Sequence, residues 1–170
     1  MADDSQRILG NDGRAVVDAI TARLVPTDEI GPGAREAQVV RYIELALASD
    51  YREHMPKYVE GLAAIEAYTK AKHGSGFVSL SEEQQDTVLR EVETGKASPS
   101  LAGFFELVLA HTLEGMFGDP YWGGNYGYVG WNLIQYPGPR FVWSEVDQQL
   151  DVVIEPVFRS AVELREQEVR

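Results

Sequence analysis

The segment between Met116 and Pro139 constrains the fold of this chain more than any other stretch. It contains three prolines, six glycines and six tyrosine or tryptophan rings. Proline fixes φ near about −65° and removes an N–H donor, and glycine allows positive φ, so a regular helix cannot run through it. Each tyrosine or tryptophan ring combines a large apolar area with one polar atom. The segment therefore predicts a shaped loop that either covers the protein's own core or offers a surface to another molecule.

Apolar residues recur every three or four positions through the first two-thirds of the chain, which predicts helices. Asn11 is expected to be the N-cap of the first helix, and Pro26 ends it. The glycines and proline of residues 27–33 predict a loop. A second helix is expected to open near Ala34.

The third helix is expected to stop at Gly74, and Ser81 with Gln84 matches a capping box that begins the fourth. Ser100–Met116 is apolar around more than one face, which is typical of a helix at the centre of a bundle. The aromatic segment leaves the C-terminal end of that helix.

Beyond Pro139, an extended run is possible at Arg140–Trp143, Asp151–Ile154 is ambiguous between strand and helix, and Glu155–Glu168 predicts a terminal helix. The predicted fold class is all-α, a compact bundle of about five to six helices with an irregular, Gly/Pro/aromatic-rich C-terminal third. We expect one domain, divided into a flexible start (1–10), a helical core (11–116), the aromatic segment (117–143) and a C-terminal tail or helix (144–170).

Composition excludes several classes of function. The formal net charge of −12 argues against nucleic-acid binding, which depends on lysine and arginine. The chain has no cysteine, so it has no disulfide framework and no thiolate nucleophile. No apolar run approaches the ~20 residues that cross a bilayer, so no direct membrane insertion is expected. With no leader of basic and apolar residues before residue 10, we expect a cytoplasmic protein, or a periplasmic one if an export signal has been removed.

The motifs of cofactor and metal sites are missing as well. The glycines of the aromatic segment follow a helix and lack the GxGxxG spacing of a dinucleotide site. His111 and Glu114 lie three residues apart, but a di-iron bundle needs two such pairs and two further glutamates. His54 and His73 are interpreted as solvated histidines. No nucleophile elbow occurs. We therefore predict no catalytic, cofactor-binding or metal-binding residue in this chain.

Two blocks of sequence resemble the gluconate 2-dehydrogenase subunit 3 family. They occur in the family's order, about 70 residues apart, and the resemblance covers roughly residues 10 to 139. The first block reads LVPTD at 24–28, GPGAREA at 31–37 and then Val40, Tyr42 and Ile43; the second reads TLEGMFGDPYWGGN at 112–125, then Gly130, Trp131 and the YPG of 136–138.

The resemblance implies a small, non-catalytic subunit of a sugar or polyol dehydrogenase. In that family the large subunit is a flavoprotein of the glucose-methanol-choline class, which carries FAD and the catalytic residues, and a cytochrome c subunit often takes the electrons. The small subunit usually bears a twin-arginine signal and is thought to help its partner mature and cross the membrane. This chain has no Arg-Arg pair before residue 10.

The expected partner interface combines the aromatic segment with the proline-glycine loop of residues 26–33, because tyrosine and tryptophan are enriched at interface hot spots. Its residues are Pro26, Pro32, Gly33, Phe117, Pro120, Tyr121, Trp122, Gly123, Gly124, Asn125, Trp131, Tyr136, Pro137 and Gly138. The alternative is that Trp122 and Trp131 cover the open end of the helical bundle. The two roles are compatible if some rings face the core and others face solvent. Two other functions stay open: a helical adaptor for a different protein, and a small enzyme with a carboxylate site that the sequence does not reveal.

Overall fold

The computed structural model describes residues 8–140 and 142–168, which form seven α-helices and no strand. In chain order the helices are α1 (Gly10–Leu24), α2 (Val39–Ala48), α3 (Met55–His73), α4 (Glu82–Glu93), α5 (Pro99–Phe117), α6 (Val129–Leu133) and α7 (Ala161–Glu168). The all-α prediction is confirmed. The number of helices exceeds the predicted five to six because the short α6 lies inside the aromatic segment.

Helix α5 is the central element of the bundle and packs against α1, α2, α3 and α4. Its buried side chains occupy more than one face, as the sequence pattern predicts. They are Leu101, Phe104, Phe105, Val108, His111, Thr112 and Met116. The Ser98 hydroxyl accepts a hydrogen bond from the Leu101 N–H (3.2 Å), and Pro99 occupies the first turn. The aromatic segment therefore starts from the end of the best-buried helix.

Of the predicted helix boundaries, two are confirmed, and those at the starts of α1, α2 and α7 are wrong. Ser81 and Gln84 form the expected capping box, and α3 ends at Gly74. Helix α1 begins at Gly10, so Asn11 is inside it rather than its N-cap. The predicted cap was wrong because the turn at residues 8 and 9 already leads the chain into the helix.

Helix α2 begins at Val39 and not near Ala34, as the sequence suggested. Residues 34–38 form a turn in which the Ala34 N–H donates to the Val25 carbonyl (2.9 Å). Gln38 has φ 56°, a left-handed conformation that interrupts a helix. The turn keeps the proline-glycine loop close to the end of α1.

The C-terminal part is less regular than predicted. The only α-helix described after residue 140 is α7, which begins at Ala161 rather than at Glu155. Pro156 disfavours the helical conformation at Glu155, which explains the later start. Asp151–Ile154 forms neither a helix nor a strand, and the run predicted at Arg140–Trp143 includes residue 141, which lies outside the described residues. Across the part of the chain that the structure covers, none of the helices has the length and apolar character needed to span a membrane.

Candidate functional site: the aromatic loop at the end of the central helix

Residues 118–138, which we call the aromatic loop, are held against the end of α5 by Asn125. This residue is fully buried, and its backbone N–H donates to the Gly115 carbonyl (2.6 Å). Its side-chain amide donates to the Gly118 carbonyl (2.9 Å), and its side-chain oxygen accepts from the Gly130 N–H (2.8 Å). Asn125 also adopts φ 42°, which asparagine tolerates better than most residues. Asn125 thus joins the start of the loop at Gly118 to Gly130 through its side chain, and joins both to α5 through its backbone N–H.

Two glycines of the loop are required because the backbone of α5 lies directly against them. A Cβ added to Gly130 would lie 1.8 Å from the Met116 carbonyl oxygen, and one added to Gly124 would lie 2.2 Å from the Gly115 carbonyl oxygen. Any side chain at either position would force the two backbones apart. These glycines therefore allow the loop to pack closely against the backbone of α5.

Trp131 closes the end of the bundle. It is 4% exposed, its indole Nε1–H donates to the Phe117 carbonyl (2.9 Å), and its ring meets Tyr136 edge-on at 5.0 Å between centroids. Large apolar area and a satisfied N–H are what a buried tryptophan needs. Trp131 therefore covers the core, as the alternative interpretation of the aromatic segment predicted for it.

The proline-glycine loop of residues 26–33 lies beside the aromatic loop. A Cβ added to Gly31 would lie 3.0 Å from the Leu133 side chain, and the Tyr126 N–H donates to the carbonyl of Ala37, in the turn that follows the proline-glycine loop (3.1 Å). Glu36 closes the first loop by accepting hydrogen bonds from the Thr27 hydroxyl (2.7 Å) and the Gly33 N–H (3.0 Å). The Thr27 hydroxyl is the main reason that the pKa of Glu36 is lowered, with the backbone N–H groups adding to it. The structure therefore brings together the two segments that the sequence placed in one interface.

Four rings of the aromatic loop are exposed, and we call three of them, Tyr121, Trp122 and Tyr126, the aromatic face. Trp122 is 53% exposed and meets Tyr121 edge-on at 5.1 Å. The Asp119 carboxylate accepts from the Tyr121 N–H (3.0 Å) and so fixes the turn that carries both rings. Rings presented on a hydrogen-bonded turn lose little conformational freedom on binding. Trp122 is therefore not a plug for the core.

A groove of about 210 Å3 opens beside the aromatic face, with Trp122 as one wall. The rest of its lining comes from α2 and the residues that follow it: Tyr42, Leu45, Ala46, Ser49, Asp50 and Tyr51. The groove is open, contains one carboxylate, and has an aromatic wall. Such a groove is suited to a side chain or short segment of another protein.

Beneath this groove lies a polar cluster that the sequence did not predict. Glu114 accepts hydrogen bonds from the hydroxyls of Tyr42 (2.7 Å) and Tyr51 (3.3 Å). Burial and the neighbouring Glu114 raise the pKa of both phenols, so they remain protonated donors. From the sequence alone, Glu114 stood out only as a potential metal ligand beside His111. Over the described ranges, no three His, Cys, Asp or Glu side chains are placed to hold a metal ion.

His111 completes the cluster and is almost fully buried. A hydrogen bond of 2.9 Å joins its Nδ1 to the Tyr58 hydroxyl, and the Tyr51 ring stacks on it at 4.8 Å. The His54 ring stacks on the His111 ring with 5.3 Å between centroids, and both His54 and His73 are half-buried, so the interpretation of these two as solvated histidines was wrong. Burial lowers the pKa of His111, nearby His54 lowers it further, and Glu114 opposes the shift.

We expect the stability of the protein to fall as the pH drops below about 6.5, partly because of His111. The unfolded chain binds a proton at His111 near its ordinary pKa of 6.5, whereas the folded protein binds it at lower pH. The contribution is complete above pH 6.5 and is lost as the pH falls toward the folded pKa. Urea unfolding at several pH values between 7.5 and 5 measures this dependence.

The variant His111→Asn should show a weaker dependence of unfolding free energy on pH, although its overall stability is lower. His73→Gln is the control, since His73 lies at the far end of α3 and its loss leaves the His111 contribution in place. Equal pH dependence in wild type and His111→Asn would contradict this account.

The residues predicted for the interface divide into three groups by exposure. Pro26, Pro32, Tyr121, Trp122 and Tyr136 are exposed, and Phe117, Pro120 and Pro137 are half-buried. Gly33, Gly123, Gly124, Asn125, Trp131 and Gly138 are buried. The buried residues shape the loop from inside and do not reach its surface. The exposed aromatic residues are the ones whose rings reach solvent.

The fold and the loop define an all-helical domain with an aromatic loop locked over the end of its central helix. The chain belongs to the gluconate 2-dehydrogenase subunit 3 family, whose model matches residues 11–138. That range runs from α1 to the end of the aromatic loop, so it includes the aromatic face and the proline-glycine loop. The family is thus one of subunits of a dehydrogenase complex. Comparison with curated proteins and with solved structures gave no match.

Proposed function

We propose that this chain is a non-catalytic small subunit that binds and stabilises an FAD-dependent sugar or polyol dehydrogenase large subunit of the glucose-methanol-choline class. It assists the maturation or export of that subunit in a chaperone-like manner, and FAD resides in the partner. A cytochrome c subunit in the same complex takes the electrons.

The observation that carries this proposal is the exposed aromatic face on a loop that is otherwise locked to the core. Tyr121 and Trp122 lie on a turn fixed by Asp119, next to an open groove. Exposure of two large rings to water in one patch is unfavourable in free energy. A partner that buries these rings removes that cost. Membership of a family of dehydrogenase subunits supports a dehydrogenase large subunit as that partner.

The electrostatics favour a protein partner with basic groups around its binding site. The chain has 27 acidic and 15 basic residues, and Asp50 lies in the groove beside Trp122. Complementary charge speeds association and selects the partner more than it adds affinity. We therefore place Lys or Arg side chains of the large subunit opposite the groove.

Co-expression tests the proposal directly. The chain carries a tag and is expressed with any flavin-dependent dehydrogenase whose gene neighbours its own, and the purified material is examined for FAD absorbance. We expect a yellow complex, and we expect the large subunit expressed alone to be less soluble or poorer in FAD.

Three outcomes would contradict the proposal in different ways. A large subunit that is equally soluble, FAD-loaded and active without this chain would remove the stabilising role. A tight complex with a protein that lacks flavin would support the adaptor function instead. Turnover by the isolated chain would support the small-enzyme alternative.

A further inference from the structure

Residues 142–158, which we call the tail, leave large apolar side chains in solvent. Leu150 is 92% exposed and Val153 is 86% exposed. Four other apolar side chains of the tail are exposed as well: Val142, Trp143, Val146 and Phe158. Isolated exposed apolar residues are common on protein surfaces, but a concentration of six within 17 residues is typical of a binding segment.

The tail is held to the rest of the protein at its ends. The Val157 N–H donates to the Pro137 carbonyl (2.8 Å), and the Ala161 N–H just beyond it donates to the Asp119 carboxylate (2.7 Å). Arg140 lies just before the tail. Its guanidinium donates a hydrogen bond to the Glu155 carbonyl and lies 5.6 Å from the Trp143 ring centroid. The tail is therefore a loop that leaves the aromatic loop and returns to it.

The charge of the tail has one sign. It contains Glu145, Asp147, Asp151 and Glu155, and it contains no lysine, arginine or histidine. Carboxylates are thus interspersed among its apolar side chains. A surface that buries those apolar groups needs basic groups near them, because a carboxylate brought close to an apolar surface without a partner loses hydration.

The tail also lies outside the part of the chain that the family model matches, which ends at residue 138. The aromatic face lies inside that part. The features that this chain shares with its family therefore do not account for the exposed apolar groups of the tail.

We infer that the tail is a second docking segment, which seats Leu150 and Val153 in an apolar groove rimmed by Lys and Arg on the dehydrogenase large subunit. This inference rests on the proposed function, since its partner is the same large subunit. The aromatic face makes the contact that belongs to the family, and the tail makes a contact particular to this chain and its partner. The tail thereby contributes to the choice of one large subunit among related ones.

The first test removes the apolar side chains of the tail. The double variant Leu150→Ser with Val153→Ser should bind the purified large subunit at least about tenfold more weakly, because two side chains no longer leave water on binding. Its thermal unfolding should match wild type, since both side chains are already in solvent. The control Val59→Ser changes an exposed apolar residue of α3 and should leave binding unchanged. Unaltered affinity in the double variant would overturn the inference.

The second test removes charge without changing shape. The double variant Asp151→Asn with Glu155→Gln should bind more weakly at low salt and should show a shallower loss of affinity as salt rises. Asparagine suits position 151, where φ is 67°. An unchanged salt dependence would overturn the basic rim on the partner.

The outcomes separate this inference from the proposed function. If wild type captures the flavoprotein and both tail variants capture it equally well, the tail inference is wrong and the proposed function stands. If wild type captures no flavoprotein, both are wrong. If sedimentation shows a dimer of the isolated chain that the Leu150→Ser and Val153→Ser changes dissociate, the tail binds a second copy of this chain instead.

Discussion

Asn125→Ala should lower the free energy of unfolding by about 3–5 kcal/mol, which is a large part of the stability of a typical domain. The substitution leaves the buried Gly130 N–H and Gly118 carbonyl without their side-chain partners. The buried Gly130 N–H left unpaired costs about 1–3 kcal/mol, the carbonyl of the half-buried Gly118 costs about 1 kcal/mol, and alanine in the left-handed conformation costs about 1 kcal/mol more. Urea unfolding followed by circular dichroism measures the change.

Two further variants separate the causes of that loss. Asn125→Gly removes the same hydrogen bonds but tolerates positive φ, so it should be less destabilising than Asn125→Ala by about 1 kcal/mol. Asn132→Ala is the matched control, because Asn132 is exposed on α6 and should change stability by less than about 0.5 kcal/mol. Equal stability of Asn125→Ala and wild type would mean that Asn125 does not hold the loop.

Trp122→Ala should weaken binding to the large subunit about 30- to 700-fold, which corresponds to about 2–4 kcal/mol for an aromatic hot spot. Trp122 forms one wall of the groove and is half exposed in the isolated chain. Truncation removes the ring that a partner would bury. Biolayer interferometry with the purified large subunit measures the affinity.

The stability of the isolated chain distinguishes this role from a structural one. Because about half of the Trp122 side chain lies in solvent, Trp122→Ala should change the unfolding free energy by less than about 1 kcal/mol. Val59→Ala, an exposed apolar position on α3, should affect neither binding nor stability strongly. A Trp122→Ala protein that unfolds far more easily but binds normally would make Trp122 a core residue.

The sequence predicted the features that depend on local chemistry. The capping box of Ser81 and Gln84 is visible because both partners lie within one turn, and α5 is recognisable as central because its apolar residues cover several faces. The loop character of residues 118–138 follows from glycine and proline in the same way. Membership of the family was also recognisable from two blocks of residues in the correct order.

Features that depend on tertiary contacts were not predictable. Gln38 is left-handed because the chain must turn there, although glutamine has no preference for that conformation. The cluster of Tyr42, Tyr51 and Glu114 joins side chains 63 to 72 residues apart, and no motif marks it. Within the aromatic loop, nothing in the sequence distinguishes Trp131, which is buried, from Trp122, which is exposed. Only the packing against the end of α5 makes that distinction.

The difference in burial among the three tryptophans gives each part of the site its own optical signal. Trp131 is buried within the aromatic loop, Trp122 lies on the aromatic face and Trp143 lies in the tail. Collisional quenching by acrylamide should therefore reach Trp122 and Trp143 in the free chain and spare Trp131. Variants that retain one tryptophan with phenylalanine at the other two positions would then record, in a stopped-flow experiment, whether the aromatic face or the tail meets the partner first.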